Sequence, residues 1–401
     1  MLPYLERTWE FVQREPRPTL PTYTRDSLVE ASLATYQLLG PSRKKDLISV
    51  LARIQGPELL DYLQMAIADR KSVSLRFKGD HNQSDVIIQD ILGSIAIDSK
   101  DIRSYCAYGR LLLSRAENAI LRKEFSKAES YVATWEVKNS EPSGPELQVV
   151  RLKNTVLGRV FRYEGDFPHA RHCLEKCLQT IPGDASRYHI MHHLGDVYCE
   201  LGVPGEVEKL VLDEINQLRA RGKQHSKAFR RLALPLAEAY ILQMRLQATE
   251  AVLRELLDIF EGMAGHDVSD QLNHVRSMIG LARVSWQQAR WSEARQTLES
   301  ALGLTGKYRT FSKGNYYIEV IYLFLSVVNF ELHKYLEGQS TLASAQDILC
   351  KEMPRHFMPG MGSYFLQNLS RTERSLQWPR SSINETPLST AFNRAQMILE
   401  A

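Results

Sequence analysis

The chain has 401 residues, 44% of them hydrophobic and 24% charged, with a formal net charge of +3. That is the composition of a folded, water-soluble protein, long enough for two ordinary domains or for one array that adds core unit by unit. So small a net charge gives no electrostatic case for a dedicated nucleic-acid binder or a membrane-surface protein. The five cysteines (Cys106, Cys173, Cys177, Cys199 and Cys350) are odd in number and lie mostly in apolar helical segments. They predict reduced thiols in an intracellular, cytoplasmic setting and no disulfide framework.

The first residues include Glu6 and Arg7 where a signal peptide needs an apolar stretch, so secretion is not expected. The Asn-x-Ser/Thr matches at Asn82, Asn368 and Asn384 then read as chance. Residues 1–22 have few periodic apolar positions, and their proline-rich part, with Pro16, Pro18 and Pro21, reads as an arm or loop. Amphipathic helices are predicted over 26–39, 43–54 and 57–68, separated by Gly40-Pro41 and Gly56-Pro57. A polar loop over 77–84 and a helix over 86–96 complete an N-terminal helical cap, residues 1–100. The run from Val320 to Phe330 is far shorter than the ~20 residues of a membrane span, and Glu319 and Glu331 close it. Residues 371–389, rich in Ser, Pro and charge, read as a linker before a short amphipathic helix over 391–399, so 356–401 is taken as a C-terminal linker and capping helix.

Residues 101–355 carry a spaced echo. Leu157-Gly158, Phe161, Gly165 and Ala170 return as Leu194-Gly195, Tyr198, Gly202 and Val207, and again as Leu281-Ala282, Ser285, Ala289 and Ala294. Small residues that open each second helix, Ala128, Ala170, Val207, Ala248, Ala294 and Gly338, fall 42, 37, 41, 46 and 44 residues apart. Each interval fits two helices and their connections. One helical hairpin cannot bury its own apolar face, so repetition at this period predicts stacked hairpins whose helices cross where the residues are small.

The phrase Leu157-Gly158, Phe161, Gly165, Ala170, Leu174 and Pro182, with Leu194-Gly195-Asp196-Val197-Tyr198 and the third copy through Trp291 and Ala301, resembles the tetratricopeptide repeat. The resemblance covers roughly residues 103–354. It implies an all-α, right-handed α-solenoid of about six hairpins, in which the first helices line a concave groove. The intervals exceed the usual 34, Val207 stands where alanine is expected, and the Leu236 unit requires a shortened turn.

On that reading the residue after each packed Gly or Ala, and those three or four further on, face the groove. Arg159, Arg162, Tyr163, His192, Asp196, Glu200, Arg283 and Trp286 become the expected contacts, with His189 and Arg276 on the same helices. Guanidinium, carboxylate and aromatic groups together suit a protein or peptide segment, which makes a non-catalytic interaction or scaffold protein the leading expectation; the bland reading is a solvated polar face. Reversing the charge of Arg159 and Arg162 is then expected to abolish capture and to spare the melting temperature. The competing class is an enzyme with acid/base chemistry by His192, Asp196 and Glu200, helped by Tyr163. A metal site in the His169, His172, His189, His192, His193 cluster has no Cys-x-x-Cys or His-Glu-x-x-His motif behind it, and none is expected. Nucleophile-elbow, Walker-type and dinucleotide motifs are missing, so no cofactor is expected. The basic stretch from Arg219 to Arg231 lacks interleaved aromatics and reads as solvated helix end, against nucleic acid.

Overall fold

A computed structural model describes residues 2–14, 21–36, 41–54, 59–97, 100–138, 140–181, 185–308, 311 and 316–351. Pro16, Pro18, Pro182 and the predicted C-terminal linker and helix lie outside the described residues. The chain divides into two compact units, Met1–Leu157 and Gly158–Ala401. The first holds α1 (Leu2–Arg14), α2 (Thr22–Thr35), α3 (Pro41–Ile54), α4 (Asp61–Phe77), α5 (His81–Ser94), α6 (Ile102–Leu121), α7 (Phe125–Ala133) and the start of α8 (Gly144–Glu164). The second continues α8 into α9 (Phe167–Thr180), α10 (Ala185–Glu200), α11 (Pro204–Ala220), α12 (Lys227–Leu242), α13 (Leu246–Glu261), α14 (Val268–Gln287), α15 (Trp291–Lys307), α16 (Tyr316–Glu331) and α17 (Tyr335–Lys351). Among the described residues every regular element is a helix, which is the all-α repeat architecture that the sequence pattern predicts.

One turn recurs in seven hairpins. After each first helix comes a residue in the left-handed region: Gly79, Lys123, Gly165, Gly202, Met244, Ala289 and His333, with φ between 57° and 86°. The next residue returns its N–H to a carbonyl five positions back, from Asp80 to Leu75 (3.0 Å), Glu124 to Ala119 (2.8 Å), Asp166 to Phe161 (2.8 Å), Val203 to Tyr198 (3.0 Å), Arg245 to Tyr240 (2.9 Å), Arg290 to Ser285 (2.8 Å) and Lys334 to Asn329 (2.8 Å). This closure satisfies carbonyls that the end of a helix leaves without partners.

The turn fixes the crossing point. Seven residues before the left-handed position and five after it stand Ser72 and Ser84, Ala116 and Ala128, Gly158 and Ala170, Gly195 and Val207, Ala237 and Thr249, Ala282 and Ala294, Ser326 and Gly338, and all are buried. They are small because the helices touch there. A Cβ on Gly158 would sit 2.6 Å from Leu174 Cγ, and one on Gly338 2.9 Å from the Phe330 ring. At Gly195 the neighbour is the ring of Pro235, 2.8 Å away, on the first helix of the next hairpin. That ring cannot swing aside, so Gly195→Ala is expected to cost ~1–3 kcal/mol in urea unfolding; a variant as stable as the parent would show that the helices separate freely.

This register corrects several expectations. In the fifth hairpin the buried position is Thr249, fully enclosed, and Ala248 is half-buried beside it. Shifting the marker by one residue restores a turn of ordinary length, so no shortened turn exists. The expected polar loop over 77–84 shrinks to a tight turn: Asp80 caps α5 by accepting the Gln83 N–H at 3.1 Å. The α4–α5 hairpin, within the residues expected to form the N-terminal cap, has the repeat's own turn, its Ser72 and Ser84 hydroxyls 2.7 Å apart at the crossing. Residues 2–14, ahead of the proline-rich part read as an arm, form α1, and its Trp9 and Val12 pack with Val29, Leu47, Val50 and Leu63. Trp9 also donates to Ser32 Oγ at 2.9 Å.

In the second unit the apolar core lies between first and second helices, from Ala170 and Leu174 through Val207 and Val211 to Leu253 and Leu256, and on to Ala294, Leu298 and Val320. Cys106, Cys173, Cys177 and Cys199 are buried and form no disulfide among the described residues. Successive second helices are tied at the rim by Arg219–Glu255, Arg245–Glu208, Arg290–Glu250 and Arg295–Glu337. Such exposed pairs contribute little individually.

Candidate functional site

On four of the five first helices of the second unit the residue following the small crossing position is charged, Arg159 on α8, Asp196 on α10, Glu238 on α12 and Arg283 on α14, and on α16 it is Val327. A polar row on an amphipathic helix normally faces water. Here α10 packs on α12 and α12 on α14, and all four charged residues are buried. The polar row therefore lies inside, and the solvated-face reading is overturned.

Asp196, with 0% exposure, is the hub of this interior. Arg162 on α8 reaches its Oδ2 at 2.9 Å. Arg276 on α14 grips both oxygens, Nη2 to Oδ1 at 2.7 Å and Nη1 to Oδ2 at 3.2 Å. One carboxylate thus joins three first helices, and the forked guanidinium geometry adds direction to the charge attraction. Burial alone would raise the carboxyl pKa, but Arg162, Arg276 and His192 outweigh it and bring it down to about 2.

His192 lies one turn before Asp196. Its Nδ1–H donates to the Arg231 carbonyl at 2.8 Å, and its Nε2 stands 3.7 Å from Asp196 Oδ2. Burial lowers its pKa to about 4 even though Asp196 pulls the other way. Two further bridges link α12 with α14: Glu238 Oε1 accepts from Arg283 Nη1 at 2.6 Å, and Asp270 Oδ1 accepts from Arg230 Nε and Nη2 at 3.1 and 3.0 Å. Lys227 pairs with Asp267 at the same end.

Four of the eight expected contacts fall into two groups. Arg162, His192 and Asp196 meet in one network; Arg283 belongs to the separate bridge with Glu238. Asp196 and Arg283 are wholly enclosed, and each ties its helix to a neighbouring first helix. Tyr163, Glu200 and Trp286 are half-buried. Tyr163 lies under the Arg162 guanidinium, 5.2 Å from the ring centre, and Trp286 packs at the edge of the α14–α16 core. Tyr317 on α16 sits close enough to Arg276, Tyr163, Arg162 and Asp196 to interact with each, and burial pushes its hydroxyl up to about 12.

The expectation that reversing Arg159 and Arg162 spares stability fails on this geometry. A carboxylate at position 162 would face Asp196 inside the protein, where like charges are strongly unfavourable. Sequence reasoning also passed over Arg231 and the pairing of Asp196 with Arg276. The available signal was the shared register: Arg159, Asp196, Glu238 and Arg283 occupy one position in successive repeats with both signs of charge.

His192, His193 and Asp196 place ligand atoms within 4.8 Å of one another. That spacing suits a metal, yet both Asp196 oxygens already accept from guanidinium groups, whose charges oppose a cation at the same spot. The acid/base reading meets a related difficulty. A histidine whose pKa lies near 4 is a weak base at neutral pH, and Asp196 is committed to two arginines. A cavity of about 420 Å³ beside α13 is lined by Gln224, His225, Arg254, Glu255 and Asp258, away from His192 and Asp196.

The repeated turn, the paired small residues and the succession of helical hairpins define a TPR-like helical-repeat protein. No protein-family model matches the chain, and no curated protein sequence does. Solved structures do. The apo form of RapI matches with a TM-score of 0.57 at 11% identity, over 94% of this chain and 98% of that one. A Rap protein complexed with Competence and Sporulation Factor gives 0.56 at 10% identity, over 84% and 98%. NprR in complex with its cognate peptide NprX gives 0.51 at 11% identity, over 83% and 97%. These likenesses establish the fold. Among the described residues no helix is long and apolar enough to cross a membrane.

Proposed function

We propose that this chain is a non-catalytic interaction protein that takes a segment of a protein or peptide partner on the first-helix face of its second unit. The observation that supports this most is the charged interior of that face: Arg159, Arg162, His192, His193, Asp196, Glu238, Arg276 and Arg283 are all buried there. For stability alone, well-packed apolar residues would serve as well as buried ion pairs or better. Polar networks at fixed register are instead what a recognition surface requires, because they position donors and rings rigidly. NprR, which shares the fold, is described in complex with a peptide, and the present reading extends that mode of use to this chain.

Within this reading the half-buried residues touch the partner, with Tyr163, Trp286 and Glu200 foremost, and Asp196 and Arg283 support them from behind. Aromatic groups of this kind commonly dominate binding. A photo-crosslinking residue introduced at position 286 or 163 in the full chain is expected to capture one partner segment from source-cell extract, whereas the same residue at Glu261 on α13 is expected to capture none. Trp286→Ala is expected to weaken binding of that segment at least ~10-fold while leaving the helicity of the folded chain near the parent's. Equal crosslinking at 286 and 261, or full affinity in Trp286→Ala, would sink this reading.

A further inference from the structure

α12 carries a buried proline, Pro235, in its interior. Proline has no N–H, so the Arg231 carbonyl, four residues back, loses the helix donor that it would otherwise receive, and the ring crowds that carbonyl. Backbone carbonyls inside a protein are nearly always paired, because an orphan costs about as much as a lost hydrogen bond. This one takes its donor from another hairpin. His192 Nδ1 on α10 lies 2.8 Å from it, and a carbonyl only accepts, so the hydrogen of the neutral imidazole sits on Nδ1.

Three residues of α10 answer to this one feature of α12. Gly195, three positions after His192, leaves room for the Pro235 ring, since a Cβ there would stand 2.8 Å from Pro235 Cβ. Cys199, four further on, brings its Sγ to 3.9 Å from the Pro235 carbonyl oxygen. Positions 192, 195 and 199 share one helix face, so the imidazole, the gap and the thiol meet the proline stretch in register. The same tautomer leaves Nε2 of His192 bare. That atom stands 3.7 Å from Asp196 Oδ2, acceptor towards acceptor and beyond hydrogen-bond length, and Asp196 takes its donors from Arg162 and Arg276 instead. The one N–H of the His192 ring thus goes to α12.

We propose that His192 and Pro235 form a conformational lock: α12 contains a hinge at residues 231–235, and the imidazole of α10 closes it by standing in for the missing backbone N–H. With the lock closed, α12 keeps one direction against α10. With it open, the helix gives way between Arg231 and Pro235, where its own hydrogen-bond ladder is interrupted. The lock is a property of the two hairpins and stands whether or not the first-helix face takes a partner segment.

The test is a double-substitution cycle on the full chain, His192→Leu against Pro235→Ala, followed by urea unfolding and by amide hydrogen exchange. In the parent, His192→Leu is expected to lower the folding equilibrium constant ~10-fold or more, because the Arg231 carbonyl is then buried without a donor. In Pro235→Ala the backbone N–H at position 235 supplies that bond, and His192→Leu is expected to cost at least ~5-fold less. The loss of the imidazole beside Asp196 is common to both backgrounds and cancels. Exchange of the amides from Leu236 to Ile241 is expected to rise further in His192→Leu than exchange in α9, and Pro235→Ala is expected to reverse that local rise. In the parent labelled at histidine nitrogen, the His192 ring is expected to be protonated at Nδ1 and bare at Nε2 at neutral pH. This last readout needs no variant to fold. An equal cost of His192→Leu in the two backgrounds, or a ring protonated at Nε2 alone, overturns the lock; a rise in exchange as large in α9 as in residues 236–241 overturns the hinge.

Discussion

Asp196→Asn is expected to destabilise the chain by about 3–5 kcal/mol, the cost typical of removing one member of a buried ion network. The substitution is nearly isosteric, so packing changes little. What changes is that Arg162 and Arg276, buried on two other helices, lose the single negative charge that both contact. A surface carboxylate of the same type contributes under about 1 kcal/mol, and a loss that small in urea unfolding followed by helicity would show the network to be incidental. A second variant separates charge from shape. Replacing Asp196, Arg162 and Arg276 together by Leu, Met and Met removes all three charges, and apolar replacement of a buried network is often neutral or better. The triple variant is therefore expected to regain much of the lost stability. It is also expected to lose partner binding, since the network sets where α8, α10 and α14 place Tyr163, Glu200 and Trp286.

The repeat was legible in the sequence because close helix crossings tolerate few residue types. Gly158, Gly195 and Ala282 stand out among larger neighbours, and their partners Ala170, Val207 and Ala294 follow at a constant distance. The α4–α5 hairpin was harder to see, because serines at 72 and 84 fill the crossing and serine does not read as a packing residue. The fifth hairpin was misregistered by one position because Ala248 looks smaller than Thr249, although only the threonine is enclosed. Turns at Lys123, Met244, Ala289 and His333 carry no glycine despite a left-handed backbone, so the usual residue signal for that conformation is lacking.

The site was legible in its members and not in its depth. Arg162, His192 and Asp196 follow from helical spacing alone. Their burial does not, because a row of charged residues on one helix looks the same whether it meets water or another charged row. Only the stacking of first helices decides that, and the closest partner of Asp196 is Arg276, which stands 80 residues away.

Acid should weaken the fold well before carboxylates are protonated. His192 has a pKa of about 4 in the folded chain, against roughly 6.5 when unfolded. As pH falls through 6.5 the unfolded chain takes up the proton first, so the contribution is fully present above 6.5 and is lost as pH falls towards 4. At pH 5 this amounts to about 2 kcal/mol for His192 alone. His274, stacked against the Phe260 and His266 rings, is also held near 4, mainly by burial, and adds in the same window and direction. Asp196 acts later: its pKa of about 2 lies below the ordinary 3.8, so its contribution is present above 3.8 and disappears between 3.8 and 2. Urea unfolding at pH 7, 6 and 5 is therefore expected to show falling midpoints, with a smaller fall in His192→Gln, which cannot take up the proton. A midpoint that is flat from pH 7 to 5, or a fall of the same size in His192→Gln, would mean that His192 is hydrated and free to ionise in the folded chain. The interior network described here would then be open to water.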